Sequence, residues 1–331
     1  MNAMAFQTLR ALADGAFHSG EDIARMLGVT RSAVWYGIRG MAGAGFSVET
    51  VRGRGYRLEQ PVSLLDAARV RAALGPAADG LALEIADTVD STNTRLLQRA
   101  AQGNAPDRLV LAAEAQTAGR GRRGRVWHAA PGSALTFSVL WRFARGAREL
   151  AGLSLATGVA LTRALHAAGV DAAKLKWPND VLLPTGKLAG ILIEMQGDML
   201  GPSAVVIGIG VNVRADARLR AAVDRPVADV ETATAVAVDR NILLARLLTE
   251  LVPVLEQFAV AGFAPLREEW QSLHADQDQQ VRLVLPDGRM LTGCARGVAE
   301  DGALLLETAD GLLRQHSGEV SLRSMAQQAG A

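Results

Sequence analysis

Cysteine is almost missing from this chain. Its 331 residues hold one, Cys294, which excludes an intrachain disulfide framework and any cysteine-rich zinc site. A charge excess is missing too. Lys plus Arg is 35, Asp plus Glu is 34 and the net charge is +1. The protein is therefore not polybasic, and any nucleic-acid contact must come from a local patch. No run approaches the roughly 18 consecutive apolar residues of a membrane span. The start, MNAMAFQTLRALADGAF, lacks the apolar core and cleavage site of a secretory signal, so a soluble cytoplasmic protein is expected. Several signatures are absent. There is no GxxxxGK[ST] loop and no GxGxxG after a strand in a βαβ unit, so a nucleotide would bind by another scheme. No GxSxG supports a hydrolase triad. The 5 histidines have no metal-ligand spacing.

What is present is ample core material, with 49% hydrophobic residues, and length for two or three domains. The chain reads as three blocks. Residues 1–60 are short helices followed by a Gly/Arg hairpin, stopped by Pro61. Ser63 is a plausible N-cap for a following helix, with Asp66 three residues on. Residues 80–270 alternate strand-like and helix-like runs. Strands are expected at Leu109–Ala113, Ser133–Leu140, Leu188–Glu194 and Val205–Val213. Helices are expected at Thr92–Ala101, Leu150–Ala168 and Asn241–Val260, the last capped by Asp239 and kinked by Pro253. Residues 278–323 are short strands punctuated by three Asp-Gly turns, at Asp287, Asp301 and Asp310, which reads as a small antiparallel barrel.

In the first block, Ser19 can cap a helix from Gly20 to Leu27, Gly28-Val29-Thr30 makes the turn, and Thr30 caps a second helix from Arg31 to about Ala42. Val48–Val51 and Tyr56–Leu58 can pair as a hairpin tipped by Arg52-Gly53-Arg54-Gly55. This is the pattern of a winged helix-turn-helix. Residues 1–60 carry 7 Arg against 5 acids. The basic ones sit where a recognition helix (Arg31, Arg39) and a wing (Arg52, Arg54) would touch phosphates, beside Thr30 and Ser32. A small helical domain for protein contacts is the alternative. Gly37 and Gly40 lie inside the second helix at about 1 kcal/mol each relative to Ala. Trp35 and Tyr36 stand where polar base-reading side chains are expected.

The central motif is GRGRRGR, Gly119 to Arg125, four arginines and three glycines without an acid. Fixing seven backbones costs about 7–14 kcal/mol, and the arginines repel one another. An anion such as phosphate or carboxylate would offset both terms; a solvated basic loop or nonspecific nucleic-acid contact are the alternatives. Gln116 precedes the loop and Trp127 follows it. Asp90-Ser91-Thr92-Asn93 reads as a helix cap. Lys174-Leu175-Lys176-Trp177-Pro178-Asn179-Asp180-Val181 reads as a strand running into a turn. Lys187 leads an apolar strand, so its ammonium can sit at a pocket wall. The run Ile207–Val213 is a buried strand whose glycines, Gly208 and Gly210, permit close approach of a ligand, with Asn212 at its polar end.

STN, GRGRRGR, KWPND, KLAGIL and GxGVN, in this order and spacing, resemble the biotin–protein ligases. With the helix-turn-helix, the chain resembles the bifunctional biotin ligase/biotin operon repressor family from about Phe17 to Arg323. The resemblance implies an α+β protein in three units. These are a winged helix-turn-helix over 1–60, a mixed-sheet α/β catalytic domain over 61–274 and an SH3-like β-barrel over 275–331. It implies that biotin and MgATP give biotinyl-5′-adenylate, and that the acyl group then passes to a lysine of a biotin carboxyl carrier domain. Lys187, Arg120 and Arg122 would be catalytic, lowering the repulsion between carboxylate and α-phosphate. Ser91, Thr92, Asn93, Gln116, Arg120, Gly121, Arg122 and Lys187 would hold biotin. Arg122, Trp127, Lys176, Asn179 and Asn212 would meet the adenylate, and Asp180 would place Mg²⁺ or orient Lys187. Operator DNA and an adenylate-dependent homodimer are the further implied partners, with no membrane. In well-known members a later flexible segment carries a tryptophan over the adenine; here Ala215–Thr234 has no aromatic residue, so no adenine contact is carried over. A ligase whose first domain no longer represses, and a catalytically weak biotin-sensing repressor, stay open. A lipoate ligase fits poorly, because that family lacks the helix-turn-helix and its glycine-rich histidine motif is not found here.

Overall fold

The computed structural model describes residues 1–144, 146–197 and 202–322; Arg323, where the resemblance ends, lies outside the described residues. The first unit packs α1 (Ala3–Leu12), α2 (Gly20–Leu27) and α3 (Arg31–Gly43) beside the hairpin β1 (Val48–Val51) and β2 (Gly55–Leu58). Its helix starts follow the expected caps. Ser19 Oγ accepts from Asp22 N at 3.0 Å and Thr30 Oγ1 from Ala33 N at 3.2 Å, while Gly28 turns the chain at φ +65°. The two glycines of α3 have a packing reason. A Cβ on Gly37 would stand 2.2 Å from Thr8 Oγ1, and one on Gly40 would stand 2.9 Å from Ala5 Cβ. They let α1 and α3 cross closely, which offsets their cost in helix propensity.

The connector behaves differently from the expectation at Ser63. Helix α4 (Ala67–Leu74) starts later, with Asp66 as its cap accepting from Arg69 N. Ser63 is extended instead, because its carbonyl accepts from Arg240 Nε (2.9 Å) and Nη2, and its hydroxyl donates to Asp239. Arg240 and Glu114 form an ion pair at 2.8 Å with both side chains fully buried. Arg240 also donates to Ala134 O, and Glu114 accepts from the backbones of Leu65 and Gly132. Every strong group of the pair is thereby satisfied, as a buried charge pair requires.

The central unit adds β3 (Ala82–Val89), α5 (Thr92–Ala101), β4 (Leu109–Gln116), β5 (Ala134–Phe143), α6 (Leu153–Ala167), β6 (Lys174–Lys176), β7 (Asp180–Leu183), β8 (Gly186–Gly197), β9 (Ser203–Asn212), α7 (Ala217–Ala222), α8 (Val230–Thr234), α9 (Arg240–Ala261) and α10 (Arg267–Ser272). Seven strands form one mixed sheet in the order β3-β4-β5-β9-β8-β7-β6, with only β3 and β4 parallel. The four expected strands and three expected helices are present, α5 with the bounds expected and the others with shifted ends, and α9 continues through Pro253. Strand β3 at the sheet edge was not expected. Alternation divides the faces. Leu135, Phe137, Val139 and Trp141 of β5 and Val205, Ile207 and Ile209 of β9 join the main core with α6 and α9. Leu140 and Val206 pack under Leu96 of α5.

The third unit is a five-stranded antiparallel sheet, β10 (Gln280–Val284), β11 (Met290–Val298), β12 (Leu304–Thr308), β13 (Gly311–Gln315) and β14 (Glu319–Leu322), ordered β13-β12-β11-β10-β14. Each Asp-Gly pair falls between successive strands or at a strand start. Trp177 Nε1 donates to Gly302 O at 3.0 Å, tying this sheet to the central one.

Candidate active site

On the α5 side of the sheet, β5 and β9 change character along their length. Leu140 and Val206 give way to Thr136, Ser138, Gly208 and Gly210. Large apolar side chains stop there, and a cavity of about 430 Å³ opens. All thirteen residues that the sequence nominated for biotin, adenylate and metal line it: Ser91, Thr92, Asn93, Gln116, Arg120, Gly121, Arg122, Trp127, Lys176, Asn179, Asp180, Lys187 and Asn212.

One wall is a buried polar chain. Ser91 caps α5. Thr92 N donates to Gln116 Oε1 at 2.8 Å, and the Ser138 hydroxyl lies 2.6 Å from both Thr92 Oγ1 and Asn93 Oδ1. Asn93 Nδ2 donates to Glu194 Oε2 (2.8 Å) and Leu192 O. Fully partnered networks of this kind hold side chains in one geometry. Ser138 and Glu194 were not nominated. A serine inside the apolar β5, and a glutamate ending an apolar strand, were the available signals.

The strand glycines, Gly208 and Gly210, line the cavity and also make room for protein side chains. A Cβ on Gly208 would lie 2.2 Å from Asn93 Oδ1, and one on Gly210 would lie 2.3 Å from the Trp127 ring. The close approach is therefore made by the Asn93 amide and the Trp127 indole. Trp127 Nε1 is buried and has no hydrogen-bond partner among the described residues, leaving a donor at the cavity wall.

The arginine loop is also more ordered than an isolated reading allows. Its backbone closes through Gly121 N to Arg125 O (2.7 Å) and Trp127 N to Gly119 O (3.0 Å), with Arg123 left-handed at φ +56°. No acid lies inside the motif, but distant ones reach it. Arg120 pairs with Glu194 at 3.0 Å, and Arg125 and Arg123 with Glu319 of β14. Arg122 Nη1 donates to Asn179 Oδ1 at 3.1 Å. Burial and the neighbouring Arg123 charge pull the Arg122 pKa below its ordinary value.

Lys187 is largely buried, with Nζ 2.6 Å from Asp180 Oδ1 and 5.7 Å from the Trp127 ring centroid. Burial lowers its pKa below the ordinary lysine value, and the Asp180 charge and hydrogen bond oppose that shift. Asp180 is delivered by the turn after β6, whose Asn179 is pinned by Nδ2 to Ile191 O at 2.8 Å. Asn212 Nδ2 donates to Lys187 O at 3.1 Å. Lys176 lines the cavity without an ion-pair partner among the described residues.

The segment Ala215–Thr234 folds over the same site. Lys187 N donates to Pro226 O and Ala228 N to Lys187 O, both at 3.0 Å. Arg225 lines the cavity and adds to the lowering at Lys187. Neither Arg225 nor Glu319 was nominated, since neither sits in a recognisable motif.

The nominated DNA residues lie apart from this cavity. Thr30 caps α3; Arg31, Ser32 and Arg39 are exposed along it, and Arg52 and Arg54 are exposed at the hairpin tip.

A cavity walled by a buried lysine and a glycine-arginine loop, on a mixed sheet joined to a helix-turn-helix, defines a ligase combined with a DNA-binding unit. Family profiles agree. The Biotin/lipoate A/B protein ligase family matches residues 85–212, the biotin protein ligase C-terminal domain 278–323, and an HTH domain 5–57. The chain is 37% identical over 324 residues to the bifunctional ligase/repressor BirA of Escherichia coli, covering 98% of each. It is 36% identical over 242 residues to the biotin--[acetyl-CoA-carboxylase] ligase of Mycobacterium tuberculosis, covering 72% of this chain and 88% of that one. Among solved structures, the Aquifex aeolicus biotin protein ligase in complex with biotin and ATP matches at TM-score 0.62 and 29% identity, over 73% of this chain and 98% of that one. The chain belongs to the biotin protein ligase family, in its bifunctional ligase/repressor form. Among the described residues no helix is long and apolar enough to cross a membrane.

Proposed function

We propose that this protein joins biotin to ATP in the 430 Å³ cavity, forming biotinyl-5′-adenylate and pyrophosphate. It then passes the biotinyl group to a lysine amine of a biotin carboxyl carrier domain, releasing AMP. In its adenylate-bound form it dimerises and binds operator DNA through the unit 1–60, with 61–274 catalytic and 275–331 completing the site.

The observation that carries this reading is the Lys187 ammonium, sunk beside Asp180 at the wall of a cavity that the arginine loop borders. Carboxylate oxygen attacks the α-phosphorus as the bond to pyrophosphate breaks. Both reactants are anions, and Lys187 and Arg122 neutralise the charge that accumulates between them. Asp180 orients Lys187 and keeps it protonated. The Ser91–Asn93 turn and Gln116 offer donors and acceptors suited to a cyclic urea, while Trp127 and Ile191 offer apolar walls. Arg120 and Arg122 retain the adenylate until the carrier lysine arrives.

Mg²⁺ would enter this cavity on the ATP phosphates, which ordinarily supply most of its non-water ligands. Among the described residues no three His, Cys, Asp or Glu side chains converge, and Asp180 is committed to Lys187. No step is assigned to the metal.

The test is incubation with biotin, ATP and a biotin carrier domain, with lipoate replacing biotin in parallel. Biotin-dependent pyrophosphate release and a biotinylated carrier lysine are expected. Lipoylation without biotinylation, or no adenylate at all, would overturn the assignment.

A further inference from the structure

The face that α3 turns to solvent is unusual for its composition. Aromatic residues make up 4% of the chain, yet Trp35 and Tyr36 stand side by side there, 44% and 64% exposed. Their rings meet edge to face, with centroids 5.0 Å apart and planes at 74°. Val34, Gly37 and Met41 take the buried side of the helix, so the aromatic pair is not part of the core. Arg39, one turn on, lies with its guanidinium 4.8 Å above the Trp35 ring. A second such stack stands on the hairpin, where Arg54 lies 4.2 Å over Phe17. Arg31, at the start of the same helix, and Arg52, at the hairpin tip, are further exposed cations of this unit. The acids of the neighbouring α2, Glu21 and Asp22, are engaged by Arg25.

A surface that is cationic at its border and apolar at its centre fits a partner with the opposite layout. The major groove of duplex DNA has anionic walls, and the apolar feature on its floor is the thymine C5-methyl group. We propose that Trp35 and Tyr36 are the specificity-determining residues of this helix, reading thymine methyls in the major groove, and that Arg39, its guanidinium over the Trp35 ring, donates to the base or phosphate beside them. This rests on the repressor half of the proposed function. Flat aromatic contacts lose little conformational freedom on docking, so two side chains suffice where polar readers would need hydrogen-bond pairs.

The test uses the full chain with biotin and ATP and a library of randomised duplexes, from which the wild type enriches its preferred sites. Each thymine of an enriched site is then replaced by deoxyuridine, which removes only the methyl. The wild type is expected to lose about fourfold in affinity at one or more positions, the worth of one buried methyl. Trp35→Ala and Tyr36→Ala bind the enriched site more weakly, are indifferent to those replacements and keep the wild-type salt slope. Arg39→Ala lowers that slope by about one. Trp35→Phe retains methyl sensitivity, and a wild-type hydrogen-exchange pattern in the amides of α1 and α2 shows that the first unit of each variant is folded. Enrichment by the wild type with equal methyl sensitivity in Trp35→Ala and Tyr36→Ala overturns this inference alone and leaves the pair to a protein partner. Failure of the wild type to enrich any sequence overturns the repressor reading, and this inference with it.

Discussion

At the scale of single residues, the proposed chemistry centres on the Lys187 amine, on which burial and Asp180 act in opposite directions. Burial works against the protonated form of Lys187, and Asp180 at 2.6 Å works for it. Lys187→Ala should abolish biotin-dependent pyrophosphate release while thermal unfolding stays near that of the wild type. The sign of the pH effect follows. The required form is protonated and its pKa is lowered, so adenylation should decline on the alkaline side before an ordinary lysine would titrate. Asp180→Asn removes the group that opposes the shift, so the decline should start at lower pH still. A pH–rate profile checks both; an alkaline limb that Asp180→Asn leaves in place would dissociate Lys187 from the chemistry.

At the scale of elements, the arginine loop and α3 show what a sequence makes legible. Caps, Asp-Gly turns and strand periodicity are local, and the helices starting at Gly20, Arg31 and Thr92 begin where their caps imply. The cavity-lining set was legible because its motifs are contiguous. What stayed hidden depends on distant partners. Ser63 looks like a cap until Arg240, 177 residues away, claims its carbonyl. The loop looks self-repelling until Glu194 and Glu319 arrive from β8 and β14. Gly37 looks like a helix defect until α1 fills the space above it. Gly37→Ala gives a measurable consequence. The gain in helix propensity, about 1 kcal/mol, is outweighed by overpacking against the Thr8 hydroxyl, worth about 1–3 kcal/mol. The variant should melt earlier by calorimetry; a higher melting temperature would mean that α1 yields. Arg122→Gly tests the loop itself. Losing its bond to Asn179 should speed adenylate release, seen as indiscriminate biotinylation of bystander lysines on a blot. Tight retention by the variant would shift that role to other residues.

At the scale of the whole molecule, two of the three units share one cavity, the central sheet and the C-terminal one. The C-terminal sheet contributes Glu319 to the arginine loop and Gly302 O to Trp177, and Gly318, Glu319 and Val320 line the cavity, so it is part of the cavity wall rather than an appendage. Glu319→Ala should raise amide hydrogen exchange across residues 119–126 without changing it in β10–β13; equal exchange in both proteins would make the contact incidental. The loop's own pairs have a further consequence. Three of its four arginines already hold a carboxylate of the protein. Any anion drawn to Arg120, Arg123 or Arg125 therefore competes with Glu194 or Glu319 rather than meeting bare cations, and the loop discounts its own charge before a ligand arrives.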